Sequence, residues 1–202
     1  MLCCFLLFCI LKEEVVKMLI AKFENSQVSE ELSKIEGQYQ ITFPESYRNF
    51  LYRYNGGYTP RTKFKVKKIS SNVKGFYGLG KVKLPVNQEM LEKWIPQKLF
   101  PIACDSFGNL ILLCIAGARY GNVYFCDHEK GMSPALITDS FSSFLRACKS
   151  DWILEAARRS IEERKAALME RGRESVITPA LIEIWQKEID KYGDMIQEEV
   201  VI

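Results

Sequence analysis

Residues 110–115, LILLCI, are apolar at every position, and this leaves few folds open to the chain. They lie between the turn sequences SFGN and AGARYGN, with LFPIACD before the first turn and VYFCDHE after the second. Short connections of this kind join consecutive strands as an antiparallel meander. A strand that is apolar throughout is buried on both faces, so helices must cover at least one side of the sheet. The sequence therefore predicts an α+β fold.

Helical patterns flank this predicted sheet. The segment PESYRNFLYRYNGG predicts a helix that begins near Pro44 and ends at Gly56 and Gly57, since glycine tolerates positive φ. Its apolar side chains recur at i, i+3, i+4 and i+7 and form one stripe. Further helices are predicted by the same spacing, and by a capping residue where one is present, at Val28–Tyr39, after Asn87 and after Ser140.

The last quarter of the chain has a different composition. The charged stretch Asp151 to Arg171 predicts a long helix, Gly172 ends it, and Thr178-Pro179 begins a final helix. We therefore predict an α+β domain over residues 18–150 and a helical hairpin over residues 151–202. The hairpin region carries eight basic and twelve acidic residues, a net charge of −4, which leaves +7 for residues 1–150.

The basic excess is concentrated in Arg61 to Lys83, which holds eight Lys or Arg residues and no acid. In RTKFKVKKI, the lysines Lys63, Lys65 and Lys67 alternate with Phe64 and Val66, which predicts a half-buried strand with a lysine row in water. Three interpretations stay open. The row is a solvated guard against edge-to-edge aggregation, a patch that attracts an acidic protein, or a nucleic-acid contact.

One predicted turn and the charged tail contain further candidates for partner binding. The turn AGARYGN places Arg119 and Tyr120 at an exposed tip, and both residue types are enriched in interface hot spots. The tail presents acids, among them Glu162, Glu163, Glu170 and Glu174. The sequence does not choose between the lysines and these acids.

The N-terminus and the cysteines bear on compartment and cofactors. LCCFLLFCIL is too short to span a bilayer and lacks the features of a signal peptide. Residues 1–17 are either upstream of a true start at Met18 or a weak apolar leader.

The seven cysteines include no C-x-x-C pair, so we expect neither a zinc site nor another cofactor. Free thiols in this number favour a reducing cytoplasm.

The only histidine of the chain lies in Asp127-His128-Glu129. A catalytic interpretation makes His128 a general base, but no nucleophile motif accompanies it. A metal interpretation fails on geometry, because consecutive strand residues point to opposite faces. We favour a structural interpretation, in which the strand ends here and Asp127 accepts backbone N–H groups in the turn, while His128 and Glu129 remain available for contact.

Four segments, in order, resemble the SUKH superfamily, which contains yeast cell-wall-synthesis regulators and bacterial immunity proteins. They are VSEELSKIEGQYQITFPESYRNFLYRYNGG, FPIACDSFGNLILL, GNVYFCDHE and DSFSSFL, and together they cover Val28 to Cys148. Cys126 stands where the family often has Trp, and residues 61–95 follow the family loosely. The motif residues that the resemblance marks as structural are Pro44, Gly56, Gly57, Asp105, Gly108, Asn109 and Asp127.

The resemblance implies a mostly antiparallel sheet with helices on one side and a function in binding, without enzymatic activity. The expected role is immunity, in which the protein captures a cognate toxin, in some cases a nuclease. The alternatives are a regulatory scaffold for signalling or cell-wall enzymes, and a nucleic-acid-binding protein. The candidate partner-binding residues are Lys63, Lys65, Lys67, Arg119, Tyr120, His128, Glu129, Glu162 and Glu163.

Overall fold

The structure, a computed structural model, describes residues 14–202. The strands are β1 (Val15–Lys22), β2 (Gly57–Val66), β3 (Ile69–Phe76), β4 (Leu99–Cys104), β5 (Leu110–Cys114), β6 (Val123–Cys126), β7 (Pro134–Thr138), β8 (Cys148–Ser150) and β9 (Glu198–Val201). The helices are α1 (Val28–Tyr39), α2 (Glu45–Tyr54), α3 (Gln88–Trp94), α4 (Phe141–Ala147), α5 (Ile161–Met169) and α6 (Pro179–Tyr192).

All nine strands belong to one sheet whose order is β7-β6-β5-β4-β3-β2-β1-β9, with β8 paired to β2 beside this path. The pairings between the named strands are antiparallel, including the predicted meander of β4, β5 and β6. The α+β class predicted from the sequence is therefore confirmed.

Strand β5 is covered on both faces, as its composition predicted. Ile111 and Leu113 belong to the main apolar core, together with side chains of α1, α2 and α4. Leu110 and Leu112 point the other way into a second cluster that includes Trp94 of α3. The helical layer on the first face is the predicted one, and α3 adds a helix against the opposite face.

Local sequence sets most helix starts. The predicted caps are confirmed: the side chain of Asn87 accepts a hydrogen bond from Met90 N (2.9 Å), and that of Ser140 accepts one from Ser143 N (3.2 Å). The predicted helix over 151–171 is wrong in its first half. Helix α5 begins only at Ile161, because Ser160 and Glu163 form a capping box there.

The tail also contributes a strand that the sequence pattern did not predict. β9 pairs with β1 at the edge of the sheet, and its Val200 is fully buried in the main core. Val16, Met18 and Ile20 of β1 lie in the same core, so β1 and β9 join the tail to the domain. The prediction of a start at Met18 is untested, and residues 1–13, with Cys3, Cys4 and Cys9, lie outside the described residues.

Over residues 14–202, none of the helices has both the length and the apolar composition needed to cross a membrane.

The Asn-Gly-Gly sequence after α2 forms a tight junction between three segments of the chain. Asn55 is buried in a left-handed conformation, and its side chain bonds to Glu24 O (2.7 Å), Leu79 O (3.1 Å) and Leu79 N (2.8 Å). Gly57 has φ of +149°, and a Cβ placed there would lie 2.5 Å from the carbonyl oxygen of Ala21. Glycine is therefore required for β1 and β2 to approach each other.

We expect Gly57→Ala to destabilise the protein by about 1–3 kcal/mol, because the backbone strain and the clash with Ala21 act together. Gly37→Ala is the matched control. Gly37 lies inside α1 with open space around its Cα, so that substitution should stabilise by about 0.5–1 kcal/mol. Urea unfolding of both variants tests this, and equal midpoints would contradict it.

Candidate functional site

The turn between β4 and β5 is organised by the carboxylate of Asp105, which is 2% exposed. Oδ1 accepts the backbone N–H groups of Phe107 (2.8 Å) and Asn109 (2.9 Å). Oδ2 accepts the hydroxyl of Ser71 on β3 (2.6 Å) and the side-chain amide of Asn109 (2.7 Å). An ionised carboxylate is an acceptor only, so these four donors satisfy it and fix the turn to the neighbouring strand.

Asn109 extends this network to the Asp-His-Glu motif. Its Nδ2 donates to Asp105, so its Oδ1 faces His128, where it accepts the backbone N–H (2.8 Å) and lies 2.8 Å from Nδ1. An amide oxygen cannot donate, so this contact assigns the proton to Nδ1. Asn109 thus holds the His128 imidazole in place at the exposed surface.

Asp127 caps the turn that follows β6. Its Oδ1 accepts Glu129 N (3.0 Å), which is the backbone hydrogen bond that the sequence predicted. The ammonium of Lys130 at 2.9 Å, with this N–H, holds the pKa of the Asp127 carboxyl below its usual value. The structural interpretation of the motif thus accounts for Asp127 and for the backbone of His128.

Asp105→Asn should destabilise the protein by about 1.5–3 kcal/mol, because an amide presents N–H groups to donors that now bond to oxygen. Asp139→Asn, at an exposed position, removes the same charge without these bonds and should have little effect. Chemical denaturation measures both. Loss of stability in the Asp139 variant alone would contradict the assignment.

The four described cysteines, Cys104, Cys114, Cys126 and Cys148, are all buried. Burial raises the pKa of the Cys126 thiol to about 12 and raises the pKa of Cys104 and of Cys148 as well. A buried thiol with a raised pKa stays protonated and packs as a small apolar side chain. In the part of the chain that the structure describes, no cluster of His, Cys, Asp and Glu has the arrangement of a metal site.

Lysines from three adjacent strands form one exposed surface, which we call the basic face: Lys63 and Lys65 of β2, Lys74 of β3 and Lys149 of β8. Lys63 is directly opposite Lys149 on one side and Asn72 on the other, and Lys65 is opposite Ser70. Residues opposite each other in a ladder share a face, and Lys74 lies two residues beyond Asn72. Phe64, between the two lysines of β2, is buried in the main core.

Two expectations for the lysine row are wrong. Lys67 does not continue the strand, because it lies in the turn between β2 and β3 with φ of +55°. The row also does not guard a sheet edge, since β2 is an interior strand that pairs with β3 on one side and with β1 and β8 on the other. Lys63 is paired with residues of both β3 and β8, so protection of an edge does not explain it.

The charges of the basic face are not balanced locally. Within residues 14–202, none of its four ammonium groups forms an ion pair at 4.0 Å or less. Like charges directly opposite each other in a ladder are destabilising, and Lys63 and Lys149 have this relation.

Lys149→Glu should therefore stabilise the fold by about 0.2–1 kcal/mol, since an opposite-charge pair replaces a like-charge pair across from Lys63. Lys34→Glu on α1 makes the same change in net charge at an exposed position and should bring no gain. The urea midpoint decides: a lower midpoint for the Lys149 variant than for wild type would rule out the repulsion.

The predicted partner-binding residues fall into separate places. Lys63, Lys65, His128 and Glu129 lie at the end of the sheet where β4 meets β5, whereas Arg119 and Tyr120 follow the far end of β5, about 15 Å away. The hydroxyl of Tyr120 donates to Thr42 O (3.1 Å). Glu162 and Glu163 lie in the first turn of α5, where the Glu163 carboxylate accepts Ser160 N (2.7 Å).

Sequence reasoning missed three contributors to this end of the sheet. Lys149 joins the basic face through a pairing with a strand 86 positions earlier in the chain, and no local pattern indicates such a contact. Ser71 contributes a hydroxyl to Asp105, again across strands. Phe107, 65% exposed at the tip of the β4–β5 turn, had a signal, since a large aromatic residue in a polar turn is unusual.

The fold and site define an α+β protein whose strand ends are rigid hydrogen-bonded turns beside an exposed basic face. Residues 29–147 match the model of the SMI1 / KNR4 family (SUKH-1). The chain belongs to this family, which confirms the resemblance stated from its motifs. Comparisons with curated proteins and with solved structures found no significant match.

Proposed function

We propose that this chain is a non-enzymatic immunity protein that neutralises a cognate bacterial toxin domain in the cytoplasm by direct one-to-one binding. The observation that carries the proposal is the hydrogen-bonded chain Asp105–Asn109–His128. These hydrogen bonds link the β4–β5 turn to the turn after β6, and they engage His128, the residue for which a catalytic role was considered. We call this hydrogen-bonded chain the support. A support of this kind holds a binding surface in one conformation, which lowers the entropy lost on association.

Family membership supports the same proposal. The Gly-Asn and Asp-His-Glu segments, on which the resemblance to the superfamily rests, contain Asn109 and His128 of this support. Side chains around it, Phe107 among them, are exposed. A fixed framework that presents exposed side chains suits a protein that binds a partner. Toxin capture then needs surface complementarity and no reactive group.

Co-expression with the C-terminal domain of the protein encoded by the adjacent upstream gene tests this function. Cells that carry the toxin domain alone should stop growing, and this chain should restore growth and co-purify with the domain. If growth is restored without a stable complex, or if a complex forms without growth, direct neutralisation is excluded.

His128→Gln separates binding from catalysis. Glutamine keeps a polar side chain at the surface but removes the imidazole, so growth rescue should fall by less than about threefold if contact alone matters, as for peripheral interface positions. General-base catalysis contributes about 100-fold or more, so an enzyme would lose that much activity. Gln97→Asn, at an exposed position near the far end of the sheet, is the control and should leave growth rescue unchanged.

A further inference from the structure

Two shallow depressions flank the lysines of β2 on the open face of the sheet. One, of about 340 Å³, is lined by Lys63, Asn72, Lys74, Ser106 and Lys191, among others. The second, of about 580 Å³, is lined by Lys63, Lys65, Ser70, Lys149 and Asp151, among others. With Arg61, which borders both, the walls carry six cationic side chains and the single carboxylate of Asp151.

The basic face is rigidly attached to the β4–β5 turn. Asn72, directly opposite Lys63, accepts the backbone N–H of Ser106 through its Oδ1 (2.9 Å). Ser71, its neighbour in β3, donates to Asp105 in the same turn. Ser106 lines the first depression, and the exposed Phe107 follows it in the turn that β3 holds beside the lysines.

Building on the proposed immunity function, we infer that the basic face and Phe107 together form the surface that captures the toxin domain, and that the captured surface is acidic. The lysines oppose one another across β2 and β8 and have no carboxylate partner within the described chain. An acidic partner supplies those missing charges, and the uncompensated field speeds the encounter. Phe107 supplies an aromatic anchor beside them.

The acids of the tail fit this role less well. Glu162 and Glu163 lie in the first turn of α5, where negative charge stabilises a helix. Glu188 is bonded to Arg164 (2.9 Å) and lies 3.9 Å from Arg61. These carboxylates therefore interact favourably with a helix terminus or with arginines of the same chain, whereas the lysines of the basic face have no ion-pair partner in the described residues.

The dimensions of the basic face favour a protein over a nucleic acid. Its four lysines span three strands in one direction and about four residues in the other, roughly 10 by 13 Å. One nucleic-acid strand places about four phosphates over that length, fewer than the 6–10 contacts of many DNA-binding proteins. Asp151 interrupts the patch at its border. A cluster of carboxylates on a folded partner matches this area better.

The first experiment measures association of the full chain with the toxin domain by stopped-flow fluorescence, at low and at physiological ionic strength. Lys65→Glu and Lys149→Glu should each slow association about tenfold at low ionic strength, because each reverses one charge of the face. Lys34→Glu, on the opposite side of the sheet, changes net charge equally and should stay within about twofold of wild type. Equal effects in all three variants, or no effect in any, overturn the assignment.

Phe107→Ala tests the anchor in the same assay. Dissociation should become about tenfold faster with association little changed, since a buried aromatic contact acts mainly on the lifetime of the complex. An unchanged dissociation rate removes Phe107 from the surface and overturns the proposal as stated. Unfolding midpoints of all variants distinguish a lost contact from a lost fold.

A second experiment does not depend on the toxin. Backbone amide shifts of the full chain are followed by NMR during titration with a short poly-glutamate peptide and with a single-stranded oligonucleotide of equal charge. We expect the peptide to shift the amides of Lys63, Lys65 and Lys149, and Lys149→Glu to abolish those shifts. If the wild-type protein does not bind the toxin domain but shows these shifts, the immunity proposal is wrong, and the basic face is still a surface that binds acidic partners. No shifts, or tighter binding of the oligonucleotide, overturns the surface.

Discussion

The carboxylate of Asp105 holds the polar end of the sheet in place. It is buried and accepts four hydrogen bonds, from β3, from its own turn and from Asn109. Without this carboxylate, β3 and the β4–β5 turn would each present unpaired donors, and unpaired buried donors are costly. Asn109 also accepts the backbone N–H of His128. The turn after β6 therefore depends on the Asp105 carboxylate, which lies 23 positions before His128 in the chain.

A second feature of this end is that part of the surface works against stability. Lys63 and Lys149 face each other across a ladder in the interior of the sheet, although a glutamate at either position would relieve the repulsion. Stability is compatible with this arrangement because the buried side of the same strands is well packed, with Phe64 in ring contact with Phe125 and Phe144. The packing of the core therefore offsets a repulsion that lies on the surface.

Much of the framework could be predicted from local patterns. The apolar run at 110–115 predicted a strand covered on both faces, and the stripe after Pro44 predicted α2, because periodicity reports which side of an element is buried. The candidate site was less accessible. The sequence grouped Lys67 with Lys63 and Lys65, but β2 ends at Val66 and Lys67 lies in the turn that follows. It also could not relate Lys149 to that row.

The amino-acid sequence alone determined the caps of α3 and α4 and the end of α2 at Asn-Gly-Gly, since each depends on residues within a few positions of one another. The periodicity of its segments also indicated the fold class. Tertiary structure decided the pairing of β8 with β2 and of β9 with β1, and with them the basic face and the attachment of the tail. These pairings join residues that lie 84 or more positions apart in the chain. Hydrogen bonds between backbones leave little signature in side-chain identity, so only the folded sheet shows which lysines are neighbours.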